Sequence, residues 1–92
     1  MSKNKPYIEE KLGENVVIRT FSPNILSEEL NWHRDHEDRF IELLDENIGW
    51  KLQFENELPK EITKKTIFIQ KNQYHRLIKG KNILKIKIIK IL

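Results

Sequence analysis

The residues best suited to chemistry in this chain are its three histidines and the carboxylates beside two of them. His33 and Asp35 stand two apart in the polar string His33-Arg34-Asp35-His36-Glu37-Asp38-Arg39. On an extended backbone that spacing sends both side chains to one face. His75 lies about forty residues further on, at the start of an apolar run. Two imidazoles and one carboxylate drawn from two strands form a 2-His-1-carboxylate set, which suits divalent iron and leaves coordination positions open for substrate or oxygen. Imidazole equally suits Ni, Zn or Cu, and the carboxylate favours harder ions, so the donor set implies a divalent ion among Fe, Mn, Ni, Zn and Cu. His36 or Glu37 replaces Asp35 as the partner if a bulge shifts which side chains point inward. The competing reading is a solvated loop laced with ion pairs. The chain has no cysteine, which excludes a thiolate zinc site, a cysteine nucleophile and a disulfide scaffold. His33-Arg34-Asp35 also opens the pattern of a kinase catalytic loop. Phe40 occupies the position of that motif's Asn and no glycine-rich loop precedes it, so the match is rejected.

Whatever positions these residues must be built largely from strands. The chain has 92 residues, enough for one compact domain, with fourteen isoleucines and no alanine. β-Branched residues fit a pleated, half-buried surface, and the best helix former is missing. Residues 1–13 are polar and unpatterned, and read as an N-terminal arm that leaves residues 14–92 as a single β domain. Val16 to Phe21 reads as a strand closed by a turn at Ser22-Pro23-Asn24. Ile25 to Leu30 reads as one helical turn or a short strand. A helix capped by Ser27 and running to Glu46 is the weaker alternative, because the seven residues from His33 to Arg39 give it nothing apolar to bury. A strand over Phe40 to Leu44, preceded by a polar segment at a barrel mouth, accounts for the stretch better. Asn47 and Gly49 suit a turn needing positive φ. Trp50, Leu52 and Phe54 alternate with Lys51 and Gln53. Further strands are expected over Thr66 to Gln70, Tyr74 to Ile78 and Ile83 to Leu92. Many short strands joined by turns describe a small antiparallel sandwich or barrel. The fold class is all-β.

The interval from Lys64 to Lys79 resembles the second motif of the cupins, G-x5-P-x-G-x2-H-x3-N. Here it reads Lys64, KTIFI, Gln70, Lys71, Asn72, QY, His75, RLI, Lys79, with every spacing kept. Lys64, Gln70, Asn72 and Lys79 stand where the motif has Gly, Pro, Gly and Asn. Asn72 keeps the turn feasible because Asn tolerates left-handed φ. His75 is the identical position, and it is the motif's metal ligand. His33-Arg34-Asp35 falls on the H-x-H of the first motif, G-x5-H-x-H-x3-4-E-x6-G, with Asp35 for the second His. That motif's Glu falls near Arg39 or Phe40, with Glu42 the nearest acid, and its last Gly falls near Asn47 or Gly49.

The resemblance spans roughly residues 16 to 92. It implies a small double-stranded β-helix (jelly roll) with a divalent metal inside the barrel, held by His33, Asp35 and His75. With aspartate at position 35 the set is similar to the H-x-D…H triad of 2-oxoglutarate-dependent oxygenases, in which a late basic residue, here Lys79 or Lys85, holds the co-substrate. Trp50, Phe54, Ile69 and Leu77 are expected in the barrel wall. Arg39, Gln53 and Tyr74 are the polar side chains expected to bind a small-molecule substrate. Oxygenase-like or isomerase-like chemistry follows from this reading. The alternative is a non-enzymatic cupin that binds a ligand or dimerises.

Partners are bounded by charge. A formal net charge of +3 falls well short of the basic surface of a dedicated nucleic-acid binder, despite the run of lysines from Lys79 to Lys90. No stretch approaches the ~18 apolar residues of a membrane span, and the N-terminus has no signal-peptide core. A cytoplasmic protein is expected. The Ile/Lys alternation of the last strand reads as a protected edge or a pairing surface, and the resemblance adds a homodimer.

Overall fold

Alternation of apolar and polar side chains determines which face of each strand turns inward. In Leu84–Ile91 it is clearest: Leu84, Ile86 and Ile88 are buried, while Lys85 and Lys87 lie on the opposite face. The computed structural model describes residues 7–25, 30–45 and 49–92. Eight strands follow in order: β1 (Tyr7–Lys11), β2 (Val16–Phe21), β3 (Asp38–Leu43), β4 (Lys51–Phe54), β5 (Lys60–Glu61), β6 (Ile67–Ile69), β7 (His75–Ile78) and β8 (Leu84–Ile91). They form a five-stranded sheet in the order β1-β2-β8-β3-β6 and a three-stranded sheet in the order β5-β4-β7. Every strand pair is antiparallel, and the described residues contain no helix.

One core joins the two sheets. Val17 and Phe21 of β2, Ile41 and Leu43 of β3, and the three inward residues of β8 meet Leu52 and Phe54 of β4. Trp50 and Leu84 are fully buried, both at 0% exposure. The Trp50 indole N–H donates to the Asn82 carbonyl, so its one polar atom is satisfied inside the core. Gly49, just before it, has φ +90°, a conformation that costs a residue with a Cβ.

The strands expected around Val16, Trp50, Thr66, Tyr74 and Ile83 are present with ends shifted by a residue or two, and Phe40 to Leu44 becomes Asp38–Leu43. The helix read from Ser27 to Glu46 is excluded where residues are described, since β3 occupies its second half. Residues 1–6, 26–29 and 46–48 lie outside the described residues, and with them most of the element read over Ile25 to Leu30 and the Asn47 part of the turn. Two features differ from expectation. Tyr7–Lys11, within the segment read as an arm, pairs along its whole length with β2. The last strand is not an edge: β8 lies at the centre of the larger sheet, paired with β2 on one side and β3 on the other, so its backbone is already used. Its Ile/Lys alternation reflects one buried and one outer face.

Candidate metal centre

The site begins with a two-residue bridge. Outside the named strands, His33 pairs antiparallel with His75, the first residue of β7. Each backbone N–H donates to the other's carbonyl, at 3.0 and 2.9 Å. The chain at His33 thus lies alongside β7, opposite to β4, and both imidazoles point inward with ring centroids 4.3 Å apart. In a regular ladder the next bond to the Asp35 carbonyl would come from Gln73. It comes from Asn72 at 2.8 Å, while the Gln73 N–H turns back to Gln70. One extra residue therefore sits on the β7 side, and Asn72 takes φ +65° there, as expected of an Asn in the motif's Gly position. The slip leaves Asp35 inward, at 8% exposure.

His33, Asp35 and His75 each offer one ligand atom, and these atoms lie within 4.8 Å of one another. His75 Nε2 is 3.3 Å from Asp35 Oδ2, and His33 Nε2 is 4.0 Å from Oδ1. The other ring nitrogens are engaged in a matching way: Nδ1 of His33 lies 3.0 Å from the Asn31 carbonyl and Nδ1 of His75 lies 2.7 Å from the Gln73 carbonyl. A carbonyl only accepts, so each Nδ1 carries the hydrogen, and the neutral form of each ring presents its lone pair on Nε2 to the carboxylate. Asp35 Oδ2 is buried with no hydrogen-bond donor. In that neutral form two acceptors face each other at that range, and a cation between them, a metal ion or a proton on Nε2, removes the repulsion. The residues present therefore fit a divalent ion. His33 and Asp35 are both prepared for one electrostatically. Burial pushes the His33 imidazole below 6.5, outweighing the hydrogen bond to Asn31, so it is unprotonated at neutral pH. Burial raises the Asp35 carboxyl, but the facing His75 and the Arg39 guanidinium more than offset this and hold it below the ordinary carboxylate value of 3.8.

The expected second and third candidates, His36 and Glu37, are not at the cluster. His36 is exposed, and Glu37 accepts a hydrogen bond from Arg39 Nε. Arg39 itself is on β3, with Nη1 3.4 Å from Asp35 Oδ1. It thus stands, near the position of the first motif's Glu, as a cation beside the cluster rather than an acid within it.

The cluster opens on a cavity of about 400 Å³ between the sheets. Arg39, Ile69 and Leu77 line it, while Trp50 and Phe54 lie in the core beyond. Gln53 and Tyr74 are not brought to this cavity. Leu52 and Phe54 take the inward positions of β4 and His75 that of β7, so their neighbours Gln53 and Tyr74 alternate outward, where they line a separate groove with Trp32 and Leu58. Gln53 bonds Arg76 and the Glu57 carbonyl there. Neither lysine considered for a co-substrate reaches the cavity: Lys79 Nζ donates to the Ile25 carbonyl, and Lys85 is on the outer face of β8.

Arg19 was not foreseen in the wall. It shares the inward face of β2 with Val17 and Phe21, lies over the Tyr7 ring at 4.2 Å and pairs with Glu9 at 2.7 Å. A charged residue at the inward step of an apolar strand was the signal available for it. The Asn31 and Gln73 carbonyls had none, because backbone acceptors carry no residue type.

No family model and no curated protein matches the chain. Solved structures do. A cupin domain from Bordetella pertussis superposes with a TM-score of 0.67 at 14% identity, covering 100% of both chains. The protein NMB1881 from Neisseria meningitidis gives 0.62 at 11% identity, covering 100% of this chain and 89% of its own. The iron(II) form of HppE gives 0.60 at 14% identity over 83% of this chain, which spans only 41% of HppE. At these identities the likeness concerns the backbone arrangement, and with the two facing antiparallel sheets it shows that this chain has the cupin fold, a small double-stranded β-helix.

Proposed function

We propose that this chain binds one divalent metal ion through Nε2 of His33, Nε2 of His75 and the Asp35 carboxylate, and acts with it on a small, largely apolar molecule admitted to the cavity. The observation that carries the reading is the confrontation of His75 Nε2 with the donorless Asp35 Oδ2 at 3.3 Å. A cation between them satisfies both, along with His33. Three protein donors leave coordination positions open, and a bound metal would supply Lewis acidity or redox chemistry there. The iron(II) form of HppE, built on the same fold, supports iron as the first ion to test. His33 is half exposed, with 50% of its side chain open, while Asp35 and His75 are enclosed. Access from solvent is therefore on the His33 side. Arg39 keeps Asp35 ionised and presents positive charge to the cavity, where it favours a ligand with an anionic or carbonyl oxygen at the metal end. The apolar walls favour hydrocarbon elsewhere in the ligand. Oxygenase-like or isomerase-like turnover belongs to this reading.

A second reading, a metal-free ligand-binding module, is favoured by the Arg39–Asp35 pair, which gives the carboxylate a cation of its own. Metal content separates the two. Protein purified without chelator or nickel resin is expected to carry about one equivalent of a divalent ion, and His75→Ala to carry almost none. Full occupancy in His75→Ala would overturn the first reading, and a metal-free wild type that also fails to take up added iron(II) would support the second.

A further inference from the structure

The His33↔His75 bridge has a second face. Residues 32 and 34 flank His33, and residues 76 and 74 stand opposite them in the register the bridge sets. Because neighbours alternate, the two imidazoles point inward and these four side chains point outward. They pair across the bridge in a reciprocal pattern. The Arg76 guanidinium lies 4.8 Å from the Trp32 ring centroid, and the Arg34 guanidinium lies 5.3 Å from that of Tyr74. Each strand thus contributes one aromatic and one arginine. Arg76 is further anchored by donating to Gln53 Oε1 on β4 at 2.9 Å.

We infer that Trp32–Arg76 and Tyr74–Arg34 act as an external clamp that holds the bridge closed and so sets the spacing of the two histidines; as a determinant of metal affinity this rests on the proposed metal site. The need for a clamp follows from the backbone. His33 is tied to β7 by two hydrogen bonds, and Asp35 to Asn72 by one more, short of the continuous ladder that protects β2, β8 and β3. An isolated bridge opens readily, and only its closed form presents both Nε2 atoms to one ion. Apparent affinity then scales with the closed fraction. Cation–π pairs at partly exposed sites change an equilibrium by about two- to five-fold each. Losing both raises the open-to-closed ratio by roughly four- to twenty-five-fold, and affinity falls with the closed fraction that this removes. Trp32, Tyr74, Arg34 and Arg76 are positioning residues in this account, since none faces the cavity.

The test replaces rings rather than arginines, because removing positive charge near a metal would tighten binding for an unrelated reason. Trp32→Leu/Tyr74→Leu keeps apolar bulk and charge but removes both π faces, and Trp32→Phe/Tyr74→Phe keeps them. In metal-free protein, amide hydrogen exchange at His33 and His75 is expected to accelerate about four- to twenty-five-fold in the Leu pair, to stay near wild type in the Phe pair, and to be unchanged in both at Ile86 and Ile88 of β8. Iron(II) affinity, measured by anaerobic titration, is expected to fall in the Leu pair by the loss of closed fraction that the exchange data give, and to recover in the Phe pair. Unchanged exchange at the two histidines overturns the clamp. Faster exchange spread equally over β8 also overturns it, by showing a global loss of stability. Faster exchange confined to the bridge, with an iron(II) affinity that does not follow the closed fraction it implies, overturns the link to the metal. If wild type binds no metal, the proposed site fails on its own account, and the exchange data still decide whether the clamp exists.

Discussion

Nε2 of His75 and Oδ2 of Asp35 face each other at 3.3 Å inside the barrel, with the ring's Nδ1 held by the Gln73 carbonyl. Asp35→Asn alters that relationship most directly. The amide N–H can donate to Nε2 of the neutral ring, while the pairing of the carboxylate with Arg39 is lost. Metal-free Asp35→Asn is therefore expected to be less stable than wild type in urea by about 1 kcal/mol or less. Its divalent-metal affinity should fall at least about tenfold, because an amide is a poor substitute for a carboxylate ligand. His75→Ala, by contrast, leaves the buried carboxylate facing a void and is expected to cost about 1–3 kcal/mol. Reversal of that order would contradict the acceptor-to-acceptor arrangement.

The pH dependence follows from the two depressed groups. His33 is held below 6.5 and Asp35 below 3.8, so in each case the unfolded chain binds the proton more readily than the folded one. Where the unfolded state binds more protons, stability rises with pH. These contributions are complete above the ordinary values. They are lost on acidification, first from just above 6.5 downward for His33 and then from just above 3.8 downward for Asp35. Urea midpoints of metal-free protein across the acid range should fall in those two windows. A midpoint that climbs as pH drops below neutrality would refute the assignment for His33.

Trp50 fills the centre of the core and uses its single donor on the Asn82 carbonyl. Trp50→Phe should therefore cost about 2–4 kcal/mol, combining lost volume with an unpaired carbonyl. Equilibrium denaturation monitored by circular dichroism measures it. A cost below 1 kcal/mol, on the order of a surface change, would show that the indole is not the keystone between the sheets.

Gly49 and Gly13 make a paired comparison. A Cβ at Gly49 would meet the Gly80 Cα at 3.6 Å, an ordinary contact, so the penalty there comes from φ +90°. Gly49→Ala is expected to lose about 1–2 kcal/mol. At Gly13 nothing lies within 4 Å of an added Cβ and φ is not positive, so Gly13→Ala is expected to be neutral or to gain about 0.5 kcal/mol from a stiffer unfolded chain. Thermal unfolding of the two variants side by side checks the contrast.

Much of this arrangement was legible in the residues alone. The alternation at Trp50 to Phe54 and Leu84 to Ile88 assigned inner and outer faces correctly, and the spacing of His33 and Asp35 placed both on one face. Asn72 was identified as a left-handed turn position from its place in the cupin-like motif. These are local properties, set by the two-residue period of a strand and by the steric cost of a Cβ. Which strand lies beside which is not local. Nothing in Leu84–Ile91 distinguishes a central strand from an edge, since both alternate alike, and Tyr7–Lys11 carries too little apolar pattern to announce that it pairs with β2.

By itself, then, the sequence determined the β class, the faces of its strands and the three side chains with ligand chemistry. Only the tertiary structure decided that His33 pairs with His75 and that Asn72, one residue out of register, bonds the Asp35 carbonyl. The reason is that a side chain's type and period are carried by its own segment. A hydrogen bond between segments some forty residues apart exists only once packing has brought them together.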